Sequence, residues 1–129
     1  MESRLYTTED YKTVYKWWKD WNWDAMPEVA LPETGIVVSK DGVDLAASFI
    51  YKTDSIVCWA ENFISNKKAP RELRKGSVEF LIEKTVEQAR DMGFNIMMSS
   101  ISHKGLIDKL TNAGYQVSDT KMTNLVRVL

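Results

Sequence analysis

A second cysteine is missing from this 129-residue chain, and so is a second histidine. Cys58 alone cannot form an internal disulfide or a cysteine-based metal cluster, and His103 alone removes any two-histidine site, so no metal site is expected. No apolar run approaches the roughly 18–20 residues that a membrane helix needs. Met1-Glu2-Ser3-Arg4 lacks the charged-then-apolar order of a signal peptide. Charge of one sign is lacking too. The 17 basic and 18 acidic residues leave a net charge of -1, which argues against bulk electrostatic binding to nucleic acid or an anionic membrane. These absences predict a cytoplasmic, metal-independent protein, and a local basic patch is still compatible with them.

What is present is enough for one core: 129 residues build a single domain, expected to span 1–129, and are too few for two ordinary ones. The five tryptophans are many for this length, and Trp17, Trp18, Trp21 and Trp23 crowd together. A short strand is expected around Arg4–Tyr6, and Thr7 with Asp10 makes a capping-box-like helix start. Tyr11, Val14, Tyr15, Trp18 and Trp21 then recur at helical spacing and predict the core face of that helix. Trp17 and Trp23 fall off this face, and two uses stay open for the aromatic segment, core packing or the wall of an acceptor pocket. Pro27, Pro32 and Gly35 mark Asn22–Thr34 as a loop or broken helix.

The period then changes. Ile36–Ser39 and Val43–Tyr51 flank Asp41-Gly42, a two-residue hairpin signal, and a turn at Lys52–Asp54 leads to a third strand, Ser55–Ile64. Gly76-Ser77 opens a helix whose face is Val78, Leu81, Ile82, Thr85, Val86, Ala89 and Met92, with Gly93 as its C-terminal cap. Phe94–Ser100 reads as a buried strand. Leu106, Ile107, Leu110 and Ala113 predict a last helix ending at Gly114. Tyr115–Ser118 and Met122–Val128 are expected to form a final strand pair. The order β-α-βββ-α-β-α-ββ predicts one α/β domain with a mixed sheet, its central strand-helix-strand unit a right-handed parallel crossover.

Chemistry concentrates in Lys67-Lys68-Ala69-Pro70-Arg71-Glu72-Leu73-Arg74-Lys75-Gly76-Ser77. This stretch joins a strand to a helix start, where amides without helical partners and the helix dipole favour an anion. Five cations against one acid suit a polyanion better than a lone carboxylate. A solvated basic loop before a helix cap is the plain alternative. The spacing of a nucleotide-binding P-loop and the dinucleotide G-x-G-x-x-G are both absent.

The run from Glu61 to Ser77 resembles the core signature of the GNAT acetyltransferases, Q/R-x-x-G-x-G/A between the fourth strand and third helix. Arg71 stands at its first position and Gly76 at its last, while Arg74 replaces the middle glycine. Element order over nearly the whole chain is similar as well, and so is Gly114-Tyr115 to the family's late G-F pair. The small size is similar to that of phage-encoded members. The resemblance implies a GNAT acyl-CoA N-acyltransferase fold with acetyl-CoA as co-substrate. It places backbone groups of Phe63, Ile64 and Ser65 along the pantetheine arm and the loop Arg71, Leu73, Arg74, Lys75, Gly76 and Ser77 at the pyrophosphate. His103 falls where many relatives have an asparagine that contacts the cofactor, and as the only histidine at a strand-helix junction it also suits a helix start.

An amine acceptor must lose a proton when it attacks a thioester, and Glu61, on the fourth strand, is the candidate base. Its alternative is a solvent-facing carboxylate or a partner for a lysine. The tyrosine that relatives use to protonate the leaving thiolate is replaced by Leu110, so Ser100, Ser102, His103 or water would take that role. Cys58, in an apolar strand, is expected to be buried and inert. The implied reaction is acetyl transfer from acetyl-CoA to a protein lysine, an N-terminus, a small amine or a modified nucleobase, with a homodimer left open. The alternatives are a catalytically impaired CoA-binding protein of this fold, or an interaction module built on the tryptophans.

Overall fold

A computed structural model describes residues 1–129. Its framework is a five-stranded sheet of β1 (Glu2–Leu5), β2 (Gly35–Lys40), β3 (Val43–Tyr51), β4 (Val57–Ser65) and β5 (Ile96–Met98), paired in that order. The first four strands are antiparallel, and only β4 and β5 run parallel. Asp41 and Gly42 both take positive φ, 51° and 78°, which matches the turn between β2 and β3 to the twist of the strands. Four helices complete the chain: α1 (Tyr11–Asp20), α2 (Arg71–Arg74), α3 (Ser77–Asp91) and α4 (Lys104–Asn112).

The sheet is covered on both faces, which explains why β2 and β3 are apolar almost throughout. Val37, Ala47, Phe49 and Ile64 pack with Val14, Trp17 and Trp18 of α1. On the other face, Ile36, Val38, Leu45 and Ala46 meet Leu81 of α3, and Ile50 and Cys58 meet Ala89. Full burial of side chains such as Leu81 and Phe49 contributes about 1.5–3 kcal/mol each. One polar pair lies inside this layer. The Ser48 and Thr85 hydroxyls are 2.7 Å apart, and Thr85 also donates to the Leu81 carbonyl at 2.6 Å. Both side chains are fully buried, so this pair ties β3 to α3 without leaving a polar group unpaired.

Three sequence expectations are corrected here. The buried stripe of α1 is Val14, Trp17 and Trp18, with Trp21 half-buried one turn later, whereas Tyr15 is 43% exposed. The aromatic spacing fitted two overlapping stripes, and the approach of β4 chose the one containing Trp17. The strand expected over Phe94–Ser100 shrinks to Ile96–Met98 and is not buried, because its far edge has no neighbour. The final strand pair is absent: residues 115–129 contain no strand, and Val117, Met122, Leu125, Val126 and Val128 are exposed. Apolar patterning gives a segment the capacity to pair, but a strand exists only where a partner edge meets it.

Candidate active site

β4 carries the feature on which the site is built. Glu61 pairs with Phe49 and Ile64 with Ala47, so Asn62 and Phe63 stand opposite Ser48 alone. Asn62 takes φ 58° to accommodate this extra residue, giving a bulge that bends the strand. β5 follows β4 only along Val57–Trp59. Beyond that point the two part, and the edge of β4 from Asn62 to Ser65 has no strand beside it.

Two hydrogen bonds hold the chain at the mouth of this gap. Ser99 Oγ donates to the Ala60 carbonyl, and the Ser100 N–H donates to Glu61 Oε1, both at 2.6 Å. Glu61 and Ser100 are thus brought together, but through the backbone of Ser100 and not its hydroxyl. Glu61 is half-buried. Burial pushes its carboxyl above the usual range, and the Ser100 amide only partly offsets this. Its second oxygen has no partner among the protein's hydrogen bonds, which leaves one acceptor of this carboxyl unspent.

A neighbouring relay fixes the loop that faces Glu61's strand. Asn62 Nδ2 donates to Tyr51 Oη at 2.8 Å, and Tyr51 Oη donates to the Ala30 carbonyl at 3.0 Å. Tyr11 Oη holds the same loop at the Met26 carbonyl, 2.9 Å away. The bulge residue is therefore bonded through one tyrosine to the segment between α1 and β2. At the other end of the bulge, Trp21 Nε1 donates to the Ser65 carbonyl at 2.9 Å and stacks on Trp23, with ring centroids 5.4 Å apart. That carbonyl is occupied, while Phe63 and Ile64 flank the open edge.

The basic segment divides into two groups. Lys67 sits 5.0 Å above the Trp21 ring, and Lys68 pairs with Asp20 at 3.1 Å, so both serve the end of α1. Arg71, Arg74 and Lys75 line an open cavity of about 650 Å³ at the amino end of α3, together with Gly76, Glu79 and Lys109. Gly76 has φ 78°, and a Cβ placed there would meet nothing within 4 Å. The amides of Leu73, Arg74 and Lys75 bond to the carbonyls of Pro70 and Arg71. The ladder of α3 opens with Phe80 N–H on the Gly76 carbonyl, so the amides of Gly76, Ser77, Val78 and Glu79 stand ahead of it. Of the loop expected at the pyrophosphate, Leu73, Arg74 and Lys75 therefore spend their amides locally, while Gly76 and Ser77 keep theirs. Arg74 Nε is buried without a partner, which leaves part of its guanidinium unspent.

Other candidates separate clearly. His103 caps α4, its Nδ1 accepting from the Leu106 amide at 3.3 Å, the helix-start role of the two left open. Leu110 is buried at 4% exposure and offers no hydroxyl. Cys58 is fully buried, and burial pushes its thiol up, away from the reactive thiolate. Two residues escaped sequence reasoning. Lys109 reaches the cavity from α4, where nothing in its spacing distinguishes it from a solvated lysine. Tyr115 packs beside Ser99, near Glu61 and Cys58, with its hydroxyl buried and its proton affinity raised by burial. The Ser99 hydroxyl spends its proton on Ala60, so the tyrosine hydroxyl has an oxygen beside it and no well-formed bond.

The arrangement can admit an extended, amide-bearing chain along the free edge of β4, an anion at the start of α3, and a proton at Glu61. No helix is long and apolar enough to cross a membrane. No protein-family profile and no curated protein matches the sequence. Solved structures match in shape. An acetyltransferase from Trypanosoma brucei superposes with a TM-score of 0.68 at 14% identity, over 97% of this chain and 99% of its own. An aminoglycoside N-acetyltransferase in complex with CoA gives 0.64 at 14% identity, over 98% and 95%. The N-acetylglutamate synthase of Neisseria gonorrhoeae, complexed with CoA and N-acetyl-glutamate, gives 0.73 at 12% identity, over 92% of this chain and 28% of that one. At these identities the likeness establishes architecture: the chain has the GNAT acetyltransferase fold.

Proposed function

We propose that this protein is an N-acetyltransferase that passes an acetyl group from acetyl-CoA directly to an amine. The observation that carries the reading is the bulge at Asn62, which opens β4 from β5 beside a half-buried Glu61. The neighbouring structures solved with CoA add weight to an acyl-CoA as donor. In this reading the pantetheine arm lies along Phe63, Ile64 and Ser65, completing the interrupted sheet edge with its amides. The pyrophosphate meets the amides of Gly76 and Ser77 and the cations of Arg71, Arg74 and Lys75.

The acceptor nitrogen attacks the thioester carbonyl and forms the new C–N bond. Its proton passes to the free oxygen of Glu61, whose raised proton affinity suits a general base. Collapse of the tetrahedral adduct breaks the C–S bond, and the departing thiolate takes a proton from water or from a hydroxyl at Ser100. The aromatic and looped region from Trp21 to Leu31 forms the acceptor side, and a lysine, N-terminus, small amine or base amino group are its candidate classes. A cytoplasmic setting suits the free thiol of Cys58.

The test is direct: pure protein with acetyl-CoA, followed by calorimetry and by CoA thiol release across a panel of amines. Binding with amine-dependent release supports the reading, and no heat with any acyl-CoA would overturn it. One observation favours a second reading. Leu110 fills the position of the expected proton donor with a buried alkyl group, so a CoA-binding protein without turnover would show heat and no thiol release.

A further inference from the structure

One backbone acceptor on the open side of β4 is taken by a side chain. The Asn66 N–H donates to the Leu45 carbonyl, so the backbone groups of Asn66 face β3. Backbone groups alternate in direction along a strand, and those of Ser65 and Phe63 therefore face away from β3, into the gap that β5 leaves. Trp21 Nε1 donates to the Ser65 carbonyl at 2.9 Å. This is the length of a sheet bond, so the indole nitrogen stands at the range where the amide of an adjoining strand would. The ring is braced at the rim of the fold and is not enclosed by it. It is half-buried, Lys67 covers it at 5.0 Å, and it stacks on Trp23, which is itself exposed. Asn22, between the two tryptophans, takes φ 59°, a left-handed conformation that turns the chain out of α1.

We propose that Trp21 is a latch on the groove for the acyl-CoA arm: its indole holds the Ser65 carbonyl in place of an amide of the arm and is displaced when the arm binds. This role rests on the acyl-CoA reading above and adds a competitor within that site. Both donors are N–H groups directed at one carbonyl, so the exchange trades a hydrogen bond for another of the same kind. The released indole N–H is not stranded. Trp21 lies at the rim beside exposed Trp23, where water takes the place of the carbonyl. The arm must nevertheless break the indole contact before it gains its own. Removing the indole N–H alone removes that cost and favours binding.

The experiment follows Trp21 by nuclear magnetic resonance and affinity by calorimetry. The five tryptophans give five indole N–H signals, and the one missing from Trp21→Phe belongs to Trp21. Triple-resonance assignment identifies the same signal independently of the variant. Phenylalanine keeps an aromatic ring for Trp23 and Lys67 and removes the donor. With acetyl-CoA, the Trp21 signal is expected to shift and its exchange with water to quicken, while the signals of buried Trp17 and Trp18 stay in place. Trp21→Phe is expected to bind acetyl-CoA roughly 2–10-fold more tightly, the range of one net hydrogen bond. The nucleotide half of the cofactor, a phosphorylated ADP without the arm, is expected to bind both proteins alike and to leave the Trp21 signal unmoved. Acetyl-CoA binding that leaves this signal unchanged, or that is no tighter in the variant, would overturn the latch while the acyltransferase reading stands. A signal moved equally by the nucleotide half would overturn it too, because the arm would not be the cause. No binding of any acyl-CoA would overturn both.

Discussion

The backbone N–H of Ser100 donates to Glu61 Oε1 at 2.6 Å, joining β4 to the chain leaving β5 at the point where the strands part. The bond orients the carboxylate and uses one of its oxygens, while burial of the side chain raises its proton affinity. Position and basicity thus come from one contact and its surroundings.

If Glu61 takes the amine proton, Glu61→Gln should leave acetyl-CoA binding intact and lower turnover roughly 10²–10⁴-fold at neutral pH. The deficit should shrink as pH rises, because more of the amine is already deprotonated. A pH–rate profile of both proteins with one acceptor decides the matter, and equal rates throughout would remove Glu61 from the chemistry.

The same side chain has a stability signature. A carboxyl raised above its ordinary value of 4.5 holds its proton more tightly folded than unfolded. Its contribution is complete below that value and is lost as pH rises through the folded pKa. Relative to wild type, Glu61→Gln should therefore gain thermal stability between acid and neutral pH. Melting temperatures measured along a pH series check this sign.

Gly76→Ala keeps the amide but forces a Cβ into a left-handed conformation, costing about 1–2 kcal/mol of stability. Gly76→Pro cannot reach φ 78° and removes a donor, so acetyl-CoA binding should vanish in calorimetry. Binding retained by the proline variant would exclude this helix start as the phosphate site.

Neutralising Arg74 and Lys75 together should weaken acetyl-CoA binding and flatten its salt dependence, since exposed charge contacts are screened by salt. Neutralising Lys67 and Lys68 should do less, because these lysines are engaged with Trp21 and Asp20. Affinities across a salt series separate the two pairs, and identical slopes would contradict the division.

Thr85→Val strands the buried Ser48 hydroxyl and should cost about 1–3 kcal/mol in denaturant unfolding. Adding Ser48→Ala should cost less than the sum of the two single changes, because the orphaned group is gone. Additive losses would show that the two hydroxyls stabilise the fold separately.

Local signals in the sequence determined the parts of this protein that depend on neighbouring residues alone. Asp41-Gly42 sets a hairpin by its own backbone freedom, and Gly76 and Gly93 bound α3 with its apolar face between them. The basic run before Ser77 could also be read without a fold, since a helix start carries its free amides wherever it is placed. What the tertiary structure decided were relations between distant segments. Trp17 went inside and Tyr15 outside because β4 lies against one of two similar stripes on α1. The bulge at Asn62 exists because β4 has one residue more than β3 across from Ser48, a mismatch that appears only on pairing. Glu61 meets Ser100 through a backbone amide, which has no residue type to reveal it, and Lys109 joins the cavity only because α4 lies against α3. The apolar residues from Met122 to Val128 mark a strand-forming capacity without naming an edge. Pairing is a property of two segments, and one sequence pattern specifies only its own half.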